Sequence, residues 1–172
     1  LANGDWLLPV ALWTRDRMGG PGVDKDAHRD LDPIRMANVF ASGDHGKTWT
    51  RRGGVAFPGT DFDEHMIVEL EDGRLWMLAR TKQGISESFS TDKGSSWTAP
   101  AASSIQNASA RFFIRRLASG NLLLVNHHNF TGRSHLTARL STDDGATWND
   151  GLLLDERPGV SYPDGVQDKD GL

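Results

Sequence analysis

Apolar residues in this chain come in short runs separated by glycine turns, and no long run keeps a capped 3.6-residue period. Met66–Leu70 and Leu75–Ala79 flank Glu71-Asp72-Gly73-Arg74, which predicts a β-hairpin with Asp-Gly at its turn. Phe112–Leu117 and Leu122–Val125 repeat the arrangement around Ser119-Gly120. Asn3-Gly4 before Trp6-Leu7-Leu8, and Asp170-Gly171 before Leu172, are partial copies.

A second turn recurs between the hairpins. Ser42–Trp49 reads SGDHGKTW, Ser90–Trp97 reads STDKGSSW and Ser141–Trp148 reads STDDGATW. The pattern S-x-D-x-G-x-[ST]-W therefore returns after 48 residues (49 to 97) and after 51 (97 to 148). Each complete unit reads strand, glycine turn, strand, variable connection, strand, Asp-Gly-Trp turn, short strand. Four antiparallel strands in a unit of about 50 residues predict a blade of a β-propeller, so the fold class is all-β. From the turn glycine to the serine of the motif takes 17 residues in the second unit (73 to 90) and 21 in the third (120 to 141). The first unit takes 38 (4 to 42), so it carries roughly 20 extra residues around Asp16–Pro33, read as a surface insertion. The chain holds about three blades and the first strand of another. Three blades cannot close a ring, and open blades leave unpaired edges. Residues 1–172 are thus expected to be one partial propeller domain, incomplete at both ends, with the missing blades mostly N-terminal. The start on Leu1 and the stop just after a hairpin-like turn fit that expectation.

Composition narrows the classes. With 37% hydrophobic and 24% charged residues the chain can build a core, and 19 glycines suit many tight turns. A net charge of −4 disfavours nucleic acid or an anionic membrane as partner. No cysteine is present, which excludes disulfides and thiolate metal sites, and no apolar stretch is long enough for a membrane-spanning helix.

Strand parity then sorts the polar residues. In a four-stranded antiparallel blade, the glycine turn and the Asp-Gly-Trp turn share one end, and the other two connections share the opposite end. Nine residues before the turn glycines stand Glu64 (73−9), Arg111 (120−9) and Tyr162 (171−9). Seven after them stand Arg80 (73+7) and His127 (120+7). Arg133 lies in the connection between the second and third strands of its unit, at the same end. The insertion, with Asp24, Lys25, Asp26, His28 and Arg29, belongs there too. Polar and ionisable groups thus converge opposite the repeated turns, as in a ligand site. Each has a plainer reading. Glu64 follows Asp61 and Asp63 and would suit a solvated acidic turn. Arg80 and Arg133 would suit surface ion pairs, and Arg111 stands near Arg115 and Arg116. His127-His128 would suit backbone hydrogen bonding, with two adjacent histidines a poor metal pair. Tyr162 would suit a packed aromatic, while Trp6, Trp13 and Trp76 read as core between blades.

S-x-D-x-G-x-[ST]-W resembles the Asp-box, and three copies at this spacing resemble the bacterial neuraminidase repeat of the sialidase superfamily. The boxes are read as structural staples: the Asp side chain bonds amides of its own turn, Gly supplies positive φ, and Trp buries a large surface. The likeness extends to the order of site residues, and the segment resembles the C-terminal part of a sialidase catalytic domain. Glu64-His65-Met66 through Gly73-Arg74, then Arg80 and Ser90-Thr91-Asp92, is similar to the family's glutamate, arginine and box. Arg133-Ser134-His135 leading to Ser141-Thr142-Asp143, then Ser161-Tyr162-Pro163, is similar to its later arginine and tyrosine.

The resemblance implies a six-bladed propeller when complete and a retaining exo-glycosidase releasing sialic acid or a related acidic sugar. Arginine suits a sugar carboxylate because its planar fork binds it bidentately. Sialidases replace the usual carboxylate nucleophile by tyrosine. By resemblance Tyr162 is the nucleophile, Glu64 its base, and Arg80 and Arg133 two of three carboxylate-binding arginines. Arg111 and His127 are site-facing residues for which the resemblance supplies no role, and both are expected to bind substrate. The first arginine and the aspartate acid/base have no match here, so the segment alone is expected to be inactive. Neither cofactor nor metal is expected, and the partners are sialylated or other acidic glycans. An extracellular or periplasmic place follows only from that substrate class. Fold alone does not give function. A non-catalytic Asp-box propeller binding glycan or protein, and a glycosidase or lyase on another anionic sugar, are the alternatives.

Overall fold

A computed structural model describes residues 1–15, 20–22, 24, 26–60 and 64–168. They form three antiparallel sheets in chain order. The first contains β1 (Trp6–Ala11), β2 (Ala37–Ser42) and β3 (Thr50–Val55). The second contains β4 (His65–Glu69), β5 (Leu75–Thr81), β6 (Gly84–Ser90) and β7 (Ala101–Ala102). The third contains β8 (Phe113–Arg116), β9 (Leu122–His127), β10 (Leu136–Ser141) and β11 (Leu152–Asp155). Among the described residues the one helical element is a 3-10 turn at Arg29–Ile34. No helix there is long and apolar enough to cross a membrane.

The period-2 pattern of β4 and β5 explains the stacking of the sheets. Met66, Val68, Trp76 and Leu78 point one way and pack with Phe112, Ile114, Leu122 and Leu124 of the third sheet region. Ile67, Met77 and Ala79 point the other way, onto Ala37, Val39, Val55 and Phe57. Because both faces of β5 are covered, its run LWMLART is buried throughout. Alternation alone therefore sends successive residues into two different cores.

Strands β4 and β8 lie side by side in the same direction. The amide of Ile114 meets Met66 Sδ at 3.4 Å, and further along Arg116 Nε donates to Glu69 O at 2.9 Å. Corresponding ends of the second and third sheets therefore coincide, as strand parity requires for a shared site.

The repeated turns have one hydrogen-bond plan. Asp92 accepts from Ser90 Oγ (2.8 Å), the Ser96 amide (2.8 Å) and Ser96 Oγ, while the Gly94 amide donates to Ser90 Oγ at 2.8 Å. Asp44 and Asp143 repeat it with Thr48 and Thr147. The second and third turns also lean on the sheet before them: a Cβ on Gly53 in β3 would stand 2.5 Å from the Gly94 carbonyl, and one on Gly145 would stand 2.5 Å from Trp76. The turns staple each sheet internally, and the second and third turns also hold their sheets against the one before.

Those donors hold the three aspartates at a pKa of about 2, first through the Thr or Ser hydroxyl and then through its amide. The ordinary value for an aspartate is 3.8, so the unfolded chain takes up protons first. The stabilisation is complete above about pH 4 and is lost as pH falls towards about 2. Acid titration followed by tryptophan fluorescence should give unfolding in that window. Replacing Asp44, Asp92 and Asp143 together by Asn should lower stability at neutral pH and flatten the acid limb. An unchanged limb would sink this account.

Two expectations are corrected. Trp76 is buried, but Trp6 and Trp13 are 51% and 44% exposed, because no described sheet covers that side of the first sheet. Residues 160–168 form no strand, since no described strand stands beside them to supply a ladder. They lie across the third sheet instead, with Gly165 against the Phe113 ring and Gln167 Oε1 accepting from the Ala118 amide at 2.8 Å. The expected turn at Asp170-Gly171 lies outside the described residues, as do Asp61, Asp63 and Lys25.

Candidate active site

The hairpin around Gly73 sets the first pair. Glu64 immediately precedes β4 and Arg80 is the penultimate residue of β5, so the Arg80 amide donates to Glu64 O at 2.9 Å. Their side chains meet as well, with Arg80 Nη1 on Glu64 Oε2 at 2.8 Å. The Arg80 side chain is only 9% exposed and that of Glu64 22%, so a guanidinium withdrawn from water has a carboxylate as partner. Next along, His65 anchors the start of β4: its Nε2 lies 2.9 Å from Asn38 O of β2.

Tyr162 arrives from the far end of the chain. The Gly159 amide donates to Arg133 O at 2.8 Å, which ties the segment after β11 to the β9–β10 connection. Three residues later Tyr162 takes φ 61, a left-handed conformation that a bulky residue rarely adopts. Its hydroxyl donates to Glu64 Oε1 at 3.1 Å across 98 residues of sequence. The two oxygens of Glu64 thus serve different partners, one the phenol and the other the guanidinium. A carboxylate so placed can take the phenolic proton, and the tyrosine, 55% exposed, is open to a ligand.

The other expected site residues are distributed differently. Arg133 is exposed, and its Nη2 donates to Ser109 O at 3.0 Å. Arg111 is half-buried in the connection that leads from Ser109 to β8. His127 does not face a ligand space: it is 0% exposed, with Nδ1 2.8 Å from Ser134 O. Its strand end is covered by Asn107, whose Oδ1 accepts the His127 amide, and by the Phe130 ring. The described part of the insertion folds on itself. Asp32 accepts from Arg15 Nε at 2.7 Å and Arg35 Nε at 2.8 Å, and Arg29 pairs with Asp26. Asn38, Ser109, Ser134 and Gly159 were missed in the sequence because they act through backbone groups, which every residue type carries.

The model of the BNR repeat-like domain matches residues 1–172. The chain belongs to the BNR repeat-like domain family. A sialidase of Micromonospora viridifaciens is 36% identical over an alignment of 120 residues that covers 62% of this chain and 18% of that protein. A Hadza microbial sialidase superposes with a TM-score of 0.57 at 25% identity, over 74% of this chain and 27% of its own. The NanB sialidase of Streptococcus pneumoniae, at 23% identity and a TM-score of 0.51, covers 61% of this chain and 17% of its own and bears on the fold alone. This BNR repeat-like chain therefore spans well under half the length of these relatives.

Proposed function

We propose that this chain is the part of a sialidase-type propeller glycosidase that carries the tyrosine nucleophile, its glutamate base and two carboxylate-binding arginines. The 3.1 Å contact between Tyr162 Oη and Glu64 Oε1 carries the reading. Phenol is a weak nucleophile until a positioned base takes its proton, and Glu64 stands within the hydrogen-bond reach such a base needs.

In this reading Arg133, exposed beside the tyrosine's own segment, and Arg80, at the end of β5, bind the carboxylate on the sugar's anomeric carbon. Glu64 takes the Tyr162 proton as the phenolate oxygen bonds to that carbon and the glycosidic C–O bond breaks. The leaving oxygen takes its proton from an acid that none of the residues assigned here supplies. Water then displaces the tyrosine from the anomeric carbon, losing a proton to the acid that had protonated the leaving oxygen, while Glu64 returns its proton to the phenolate, so configuration is retained. A carboxylate nucleophile would be repelled by the substrate's own carboxylate, which is why a tyrosine suits an acidic sugar. The complete protein is read as a six-bladed propeller, and its substrates as sialylated or related acidic glycans.

The test is hydrolysis by the full-length protein of fluorogenic sialosides beside a fluorogenic glucuronide. Release of sialic acid with retained configuration supports the reading. Turnover of the uronide alone moves the substrate to another acidic sugar. No turnover of either, with glycan binding intact, favours a binding module and overturns the enzyme.

A further inference from the structure

We propose that His127 is a positioning residue that sets Arg133, and through it the segment bearing Tyr162, from beneath the surface. This rests on reading Arg133 as a carboxylate-binding residue. The connection between β9 and β10 holds three residues in the left-handed region, Asn129 (φ 51), Gly132 (φ 60) and His135 (φ 53). Only glycine takes that region freely, so the connection needs bonds from outside itself to stay in this shape. Its internal bonds centre on Ser134, whose Oγ lies 2.8 Å from His135 Nδ1. The Thr131 amide donates to Ser134 Oγ at 3.2 Å, that hydroxyl donates to Thr131 O at 3.0 Å, and the His128 amide donates to His135 O at 3.1 Å.

His127 supplies the buried tie. A carbonyl only accepts, so Nδ1 carries the hydrogen and donates to Ser134 O, the residue next to Arg133. Its backbone is held by the bond from the His127 amide to Asn107 Oδ1 at 2.9 Å, and Phe130 meets the ring edge-on at 6.5 Å between centroids. Its Nε2 is buried and has no partner among the described residues. Such an atom is unfavourable in a core, and the geometry of Nδ1 is what the ring offers in return. On the far side of the connection, Arg133 O accepts from the Gly159 amide at 2.8 Å, three residues before Tyr162. A continuous path therefore runs from His127 through the Ser134 and Arg133 backbone to the tyrosine segment. Moving the connection would displace Arg133 and loosen Gly159 together.

Asparagine and glutamine separate this role from simple packing. The Asn amide nitrogen sits two bonds beyond Cβ, like Nδ1, whereas the Gln amide nitrogen sits three bonds beyond, like Nε2. In the full-length protein, His127→Gln should lower kcat/KM on a fluorogenic sialoside about tenfold or more, mainly through KM, as a misplaced binding group does. His127→Asn should recover most of that loss. On an Arg133→Ala background His127→Gln should add little, because the group it positions is gone. Amide hydrogen exchange gives a readout independent of turnover: residues 128–135 and Gly159 should exchange about tenfold faster in His127→Gln than in His127→Asn. Equal exchange in the two variants, or full additivity with Arg133→Ala, overturns the proposal. An inactive wild-type protein would instead count against the glycosidase, while the exchange comparison would still judge His127.

Discussion

Tyr162→Phe should reduce kcat/KM on a fluorogenic sialoside by at least about 10³-fold while leaving the fold intact. The substitution removes the hydroxyl of a half-exposed residue, together with its hydrogen bond to Glu64. Its thermodynamic cost is accordingly about 1 kcal/mol or less. Its chemical cost is the whole covalent route, since phenylalanine has nothing to attack with. Glu64→Gln belongs to the same experiment and should cost about 10²–10⁴-fold, the range of a positioned base. It differs in stability, because Arg80 is nearly buried and loses a carboxylate partner. Thermal unfolding should register about 1.5–3 kcal/mol for Glu64→Gln. Full activity in Tyr162→Phe would remove the nucleophile from the proposal. A loss in Glu64→Gln that merely tracks unfolding would remove the base.

Gly145→Ala should be the most damaging small substitution in the repeated turns. Gly145 has φ +89, and a Cβ there would stand 2.5 Å from Trp76 Cζ3 and 2.9 Å from Cη2. Trp76 cannot withdraw easily: it is buried, its Nε1 donates to Glu87 at 3.0 Å, and Phe89 stacks on it at 6.1 Å. Left-handed strain of about 1–2 kcal/mol then adds to overpacking of about 1–3 kcal/mol. Gly120→Ala is the control, with φ +91 and nothing within 4 Å of the new Cβ, so only the strain applies. Chemical denaturation of both variants gives the comparison. If the two lose the same amount, the contact between the third turn and the second sheet carries no energy, and the staple reading fails between sheets.

Much of this architecture is legible in the residues themselves. The glycine turns and the alternation of Met66 to Leu70 and Leu75 to Ala79 locate β1, β4, β5, β8 and β9 to within a few residues, and the three copies of the Asp-Gly-Trp turn give the order of the strands that flank them. These are local signals: a turn type needs particular residues at fixed offsets, and a strand needs period 2. The same signals yield strand parity, and hence which end of a hairpin Glu64 and Arg80 share. Counting from Gly73 placed that pair correctly because a hairpin's register follows from its turn.

What lies beyond one hairpin was decided only in three dimensions. Counting alike from Gly120 put His127 at the same end, yet it could not say that Asn107, Phe130 and Ser134 close over it, since those arrive from other connections. Trp6 and Trp76 look equally core-forming in the sequence, but burial requires a second sheet, and among the described residues only Trp76 has one on its side. The last segment read as a strand by its turn, and with no described strand beside it residues 160–168 have no ladder to join. Tyr162 reaches Glu64 from 98 residues away, through a left-handed backbone that no residue pattern announces. Turn chemistry and alternation are properties of neighbouring residues and are written in their order. The joining of phenol, carboxylate and guanidinium depends on which sheets stack and which segments cross them, and that is settled only when the cores form.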